Sequence, residues 1–194
     1  MPPIPKFSKK DIIDIAYEIV KEEGMDAINA RRIASAIGCS VQPIFHNFTS
    51  MEDLKQELYN KIYQTYENFV VEVKEKPKAY KEMGLSYIRF AKEYPEFFKI
   101  IFMHQIDLNS KSLLKDKAGK EIIEAGQKLT GFTYEEQKKF HIKVWIFTHG
   151  LACLVANKTI DLSEEEIANL LEESVREMLM GYKKKKENTN EKSN

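Results

Sequence analysis

The chain has 194 residues, 43% hydrophobic and 31% charged, enough to bury a sizeable core in one or two small domains. Its 30 basic residues balance 30 acidic ones, so it lacks the cationic excess by which nucleic-acid binders usually show themselves. No apolar run reaches the ~18 residues of a membrane span, and the opening MPPIPKF has no signal-peptide core. Cys39 and Cys153 stand in separate halves, which argues against a disulfide framework and for a reducing, cytoplasmic setting.

The apolar periodicity is helical from end to end, with no convincing strand pattern or internal repeat. Four helix starts carry a capping-box-like signature: Ser8-x-x-Asp11, Ser50-x-x-Asp53, Thr133-x-x-Glu136 and Ser163-x-x-Glu166. The first precedes the stripe Ile12, Ile13, Ala16, Ile19 and Val20. The second opens a long helix from Ser50 to about Glu75, with Pro77 at or after its end. At ~1.5 Å per residue that helix spans on the order of 40 Å, enough to run from one domain into another. Pro95 breaks the next segment, Lys78–Tyr94, and starts a shorter helix holding Phe97, Phe98, Ile101 and Phe102. Asp107–Lys117 is polar and unassigned; helices are expected over Ser112–Leu129, Thr133–Asn157 and Ser163–Gly181. The tail from Lys183, KKKKENTNEKSN, is poor in apolar residues and reads as disordered, its lysines solvated or touching a polyanion.

The most informative stretch is IASAIGCSVQPIFHNF, from Ile33 to Phe48. A short helix, Arg31–Ile37, should stop at Gly38, which supplies the left-handed position that lets the backbone turn. Ser40 is a good N-cap for a second short helix, and Pro43 then falls where a missing N–H costs no intrahelical bond. Two short helices joined by such a turn form a helix-turn-helix, whose second helix enters the major groove of DNA. Ile44 and Phe48, four apart, would anchor that helix, leaving Val41, Gln42, Phe45, His46 and Asn47 outward. The competing reading is an ordinary helical hairpin with Phe45 buried in a core. Between Met1 and Asn60, seven basic residues (Lys6, Lys9, Lys10, Lys21, Arg31, Arg32, Lys55) face nine acidic ones. What counts is their placement. Asp14, Glu18 and Glu22 would lie away from the DNA, while Lys6, Lys9, Lys10, Arg31 and Lys55 would ring the second helix. Arg32 is expected on a solvated face.

Asp11–Leu58 resembles the N-terminal domain of the TetR family of bacterial transcriptional regulators. The likeness rests on the first helix ending at Glu22-Glu23-Gly24, the IA-x-x-x-G segment at Ile33–Gly38, the aromatics Phe45 and Phe48, and Ser-x-Glu-x-Leu at Ser50–Leu54. Tyr87–Phe102 and Trp145–Leu154 look like segments of the ligand-binding half of many members. The resemblance implies an all-α fold in which residues 1–50 form a three-helix, helix-turn-helix DNA-binding domain. A long helix joins it to a helical ligand-binding and dimerisation domain over residues 51–182, followed by the tail at 183–194.

By the same resemblance the DNA contacts are Ala30, Arg31, Ser40, Val41, Gln42, Pro43, Phe45, His46, Asn47 and Lys55. Gln42 is the best candidate for a directional base contact, and Val41 and Pro43 would touch thymine methyls. The family's aromatic phosphate contact falls at Phe45, which lacks the usual hydroxyl. Met51 stands where a Lys often opens the next helix, and Lys55 is its candidate replacement. Double-stranded operator DNA, a second copy of the chain and a small hydrophobic or aromatic effector are the implied partners; no cofactor is expected. The effector candidates are Tyr87, Phe90, Phe97, Phe98, Phe102, Met103, Trp145, Phe147 and His149, although aromatics at helical spacing are also what a plain core requires. The dimer candidates are Ile167, Leu170, Leu171, Val175, Met178 and Leu179, half of which would serve a monomer core equally well.

Other functions find little support. His149 and Cys153 lie four apart with His141 two turns earlier, but no third and fourth metal ligand is evident. No Gly-rich phosphate loop, G-x-S-x-G elbow or paired-carboxylate motif is present, so an enzyme is not expected. The alternative within the same fold is a ligand-binding or interaction module that has lost specific DNA binding.

Overall fold

A computed structural model describes residues 7–74, 79–103 and 117–191. Among these there is no strand, and the helices are α1 (Lys9–Glu23), α2 (Ala30–Ile37), α3 (Gln42–Asn47), α4 (Met51–Lys74), α5 (Ala79–Glu93), α6 (Pro95–Phe102), α7 (Lys117–Thr130), α8 (Tyr134–Ala156) and α9 (Glu164–Glu191). A 3-10 turn, Met25–Ala27, links α1 to α2. The unassigned stretch Asp107–Lys117 and the expected start at Ser112 lie almost wholly outside the described residues.

The caps follow the local chemistry. Ser8 and Thr133 form complete capping boxes with Asp11 and Glu136, satisfying amide groups that the first helical turn leaves without partners. Ser163 and Glu166 make the same reciprocal bonds ahead of α9. Ser50 accepts from the Asp53 amide at 3.1 Å, while the Asp53 carboxylate turns to the Thr49 amide and hydroxyl.

Two compact units emerge. The first, Met1–Phe69 with Tyr94–His104, contains α1–α3, α6 and most of α4. Its core is Ile12, Ala16, Val20, Ile33, Ile44, Leu54, Leu58, Ile62, Phe97 and Phe98, all fully enclosed. The second, Val70–Glu93 with Gln105–Asn194, packs α8 against α5, α7 and α9. Gly84 permits the close approach of α5 and α9, since a Cβ there would lie 3.1 Å from the Leu171 side chain.

The C-terminus differs from the sequence reading. α9 runs on past Gly181 to Glu191, where a disordered tail from Lys183 was expected. The reason is Tyr182, whose ring packs 5.0 Å from Phe132 and 6.0 Å from Phe140, with the Lys143 ammonium 5.6 Å from its centroid. That anchor lies beyond the glycine and offsets its cost of about 1 kcal/mol to a helix interior. The lysines then continue a helix already held. Tyr182→Ala should therefore lower the melting temperature by several degrees and remove amide-exchange protection selectively over 181–191, measurable by hydrogen–deuterium exchange.

Candidate nucleic-acid interface

The interface is built on the first unit. Asn29, not recognised as a cap in the sequence, accepts from the Arg32 amide at 2.9 Å and starts α2 one residue earlier than expected, at Ala30. Gly38, at φ 75° and ψ 38°, is left-handed, and Cys39 N–H closes on the Ala34 carbonyl at 3.0 Å. The turn is thus the one expected, but α3 is capped differently. Val41 occupies the N-cap position, no side chain caps the helix, and Pro43 sits at its second residue. The Ser40 hydroxyl is not used because it lies one residue too early; its carbonyl instead accepts from the Cys39 thiol at 3.1 Å.

α3 has six residues, too few to be stable by propensity in water. Its position comes from burial of Ile44 and Phe48, each worth roughly 1.5–3 kcal/mol when taken fully from water. With those two inward, Val41 is 38% and Phe45 52% exposed, and Gln42 and His46 are exposed as well. The hairpin alternative, with Phe45 in the core, is not what forms. Among the described residues the Gln42 amide has no partner. His46 Nδ1 lies 3.0 Å from the Gln42 carbonyl oxygen.

The other expected contacts are placed unevenly. Arg31 and Ser40 are exposed, and Ala30, Pro43 and Lys55 are half-buried. Asn47 is turned inward: its amide donates to the Pro43 carbonyl at 2.8 Å and the Phe7 carbonyl at 3.3 Å, tying the end of α3 to the residues before α1. Met51 is half-buried at the start of α4.

The cations are divided by α4. Lys9 is ion-paired with Glu57 and also lies 5.0 Å from the Phe48 ring centroid. Asp14 accepts from Lys10 at 2.6 Å and from Lys61, and Tyr17 and Thr65 hydroxyls meet at 3.0 Å. On α4 the partners fall at 57, 61 and 65, one turn apart, so α1 and α4 are joined by a ladder of three polar pairs. Lys9 and Lys10, expected around the recognition helix, are instead committed to α4 and to Asp14. Asp14, expected on the side of α1 away from the DNA, is paired with Lys10 and Lys61. Arg32, expected to be solvated, donates to Glu23 at 3.2 Å through Nε. Arg31 and Lys55 have no ion pair among the described residues, and Lys6 lies outside them. Sequence periodicity offers no sign of the three α1–α4 pairings, because they connect residues 47 or 48 apart.

The effector candidates divide between the units. Phe97, Phe98, Phe102 and Met103 belong to the first, where Tyr17 packs 4.7 Å from Phe97 and Tyr66 5.0 Å from Phe102. Tyr87, Phe90, Trp145, Phe147 and His149 belong to the second. There the Tyr87 hydroxyl lies 2.9 Å from His149 Nδ1, and the Trp145 ring stacks on the imidazole at 5.2 Å. Burial pushes the His149 pKa down and the Cys153 thiol up, so both are neutral near pH 7, with Sγ and Nε2 3.5 Å apart. His141 does not join them in a three-ligand cluster; none occurs among the described residues.

Among the dimer candidates, Ile167 and Leu171 are buried within the second unit, and Val175, Met178 and Leu179 pack on Phe132, Phe140 and Val144. Leu170 is exposed, as are Ile142, Ile146 and Leu154 of α8.

Residues 12–58 match the family model described as bacterial regulatory proteins, tetR family. No curated protein matches the chain.

The ladder has a pH signature. Hydrogen bonds from Lys10 and then Lys61 hold the Asp14 carboxyl below its ordinary value near 3.8. Its contribution to stability is complete above that value and is lost as pH falls through the lowered folded pKa. Thermal unfolding from pH 5 down to about pH 2 should show this loss. Asp14→Asn should melt a few degrees lower at pH 5 and follow a flatter profile.

Proposed function

We propose that this chain, whose residues 12–58 match the tetR family of bacterial regulatory proteins, is a DNA-binding transcriptional regulator and a homodimeric repressor, released from a palindromic operator by a small hydrophobic or aromatic effector. The observation that carries this reading is α3, a six-residue helix pinned by Ile44 and Phe48 that exposes Val41, Phe45 and an unpartnered Gln42 amide. Solvated helices do not ordinarily spend apolar side chains this way, whereas a groove lined by thymine methyls and base edges rewards both kinds of group. Gln42 reads a base, Arg31 and Lys55 neutralise phosphates, and Val41 and Phe45 supply apolar contact. Asn47 serves by holding α3 in place.

Two subunits present two such helices, so the operator is a palindrome with half-sites about one helical turn or a multiple apart. The dimer seam draws on α8 and α9, through Leu170 and the exposed Ile142, Ile146 and Leu154. In the second unit Tyr87, Phe90, Trp145 and His149 contact the effector, whose aromatic surface suits Trp145 and whose polar atoms meet a neutral imidazole. Effector binding shifts the population toward a state in which α4 carries α1, and with it α3, to a spacing that no longer fits the operator. This requires higher affinity of the effector for the released state.

Selection of duplexes from a random pool at about 0.15 M salt should enrich a palindrome, and Arg31→Ala with Gln42→Ala should abolish the enrichment. With Arg31 and Lys55 of each subunit neutralising phosphates, log affinity should fall against log salt with a slope of about −4 or shallower. A steeper slope would show that further lysines meet the DNA. Failure to enrich any sequence with folded, dimeric protein would favour the ligand-binding module that has lost DNA recognition, for which Phe45 and Met51 speak.

A further inference from the structure

α8 carries a stripe that its own subunit does not use. Val144, Thr148, Leu151 and Val155 are buried in the second unit, while Ile142 and Ile146 on the opposite face are 37% and 60% exposed. His149 and Cys153, both half-buried, continue the line of those two isoleucines in steps of four, three and four residues. That is the 3.5-residue repeat of a helix–helix seam. Gly150, beside them, presents no side chain to hinder the approach of another helix. The outer half of α8 is thus an apolar seam that ends in an imidazole and a thiol.

Those two groups have the spacing of ligands to one metal ion. Cys153 Sγ lies 3.5 Å from His149 Nε2. Sulfur at about 2.3 Å and nitrogen at about 2.0 Å from a tetrahedral zinc are themselves about 3.5 Å apart. Sulfur is a weak acceptor, so the thiol donates to Nε2 and the ring hydrogen sits on Nδ1, 2.9 Å from the Tyr87 hydroxyl oxygen that accepts it. Trp145, stacked 5.2 Å away, fixes the plane of the ring. An imidazole oriented through its other nitrogen is what zinc ligation calls for. One chain supplies two ligands, and among the described residues no third His, Cys, Asp or Glu joins them. Across a two-fold axis each seam residue meets its own counterpart, which supplies the other two. We propose that two copies of α8 hold one zinc ion on the dimer axis, bound by His149 Nε2 and Cys153 Sγ of each subunit. The proposal rests on the homodimer forming through α8. Two thiolates neutralise the ion, which suits an apolar seam. Burial lowers the His149 pKa, so no proton competes for Nε2 near pH 7. Burial raises that of Cys153, so the metal displaces each thiol proton, two per ion bound. Tyr87, Phe90 and Trp145 remain for the effector.

The test uses the full-length chain, stripped with EDTA under reducing conditions and then given a small excess of zinc. Gel filtration with elemental analysis should return a dimer carrying one zinc per two chains. Cobalt(II) in its place should show the thiolate charge-transfer band of a tetrahedral site. Cys153→Ser and His149→Gln, each checked for native helicity, should lose the ion. Tyr87→Phe should keep the stoichiometry and bind roughly tenfold more weakly, as expected for a residue that only positions the ligand. Removal of zinc from the wild type should weaken the dimer by about tenfold or more in sedimentation equilibrium. A dimer that takes up no zinc, one that takes up an ion per chain, or a Cys153→Ser dimer with its full complement overturns the proposal alone. A chain that stays monomeric in zinc overturns the homodimer reading and the proposal with it.

Discussion

The placement of α3 depends on two buried side chains, Ile44 and Phe48. α3 is too short to exist without them, and its outward face is defined by what they turn inward. Loss of either would leave Gln42, Phe45 and His46 on an unstructured segment. Burial of two hydrophobic groups, a few kcal/mol in all, thereby supports a set of polar contacts that could not organise themselves. The helix-turn-helix is best understood as a hydrophobic clamp on a short reading element.

The neutral charge of the chain has a physical explanation in the same unit. Four of its cations, Lys9, Lys10, Arg32 and Lys61, are used internally against Glu57, Asp14 and Glu23. Such exposed or half-exposed pairs contribute little to stability. Their effect is geometric: Lys9–Glu57 and Lys61–Asp14, with Tyr17 and Thr65, key α1 to α4 at successive turns. The arrangement commits these charges to internal contacts between helices.

The second unit uses its hydrophobic residues twice. One face of α9 fills the monomer through Ile167, Leu171 and Tyr182, while Leu170 and the exposed residues of α8 remain outside. Tyr182 also carries the helix past Gly181, so the lysine run is displayed on a helical end.

Helical class, the capping boxes, the break at Pro95 and the Gly38 turn were all determined by the sequence itself. Each depends on chemistry within about four residues, and spacing alone records it. The outward set on α3 was legible for a similar reason, since Ile44 and Phe48 could share one face only if Val41, Gln42, Phe45 and His46 occupied the other. Tertiary structure decided the rest. It turned Asn47 inward, paired Lys9 with Glu57 and Lys10 with Asp14, paired Arg32 with Glu23, and extended α9 through an aromatic anchor on α8 and the residues just before it. Lys9 and Tyr182 have partners distant in sequence, and even where the partner is near, as for Lys10 with Asp14 or Asn47 with Pro43, spacing alone does not say whether the pair forms. A lysine or asparagine is equally at home in water or in a pair, so its side chain follows whichever neighbour folding delivers.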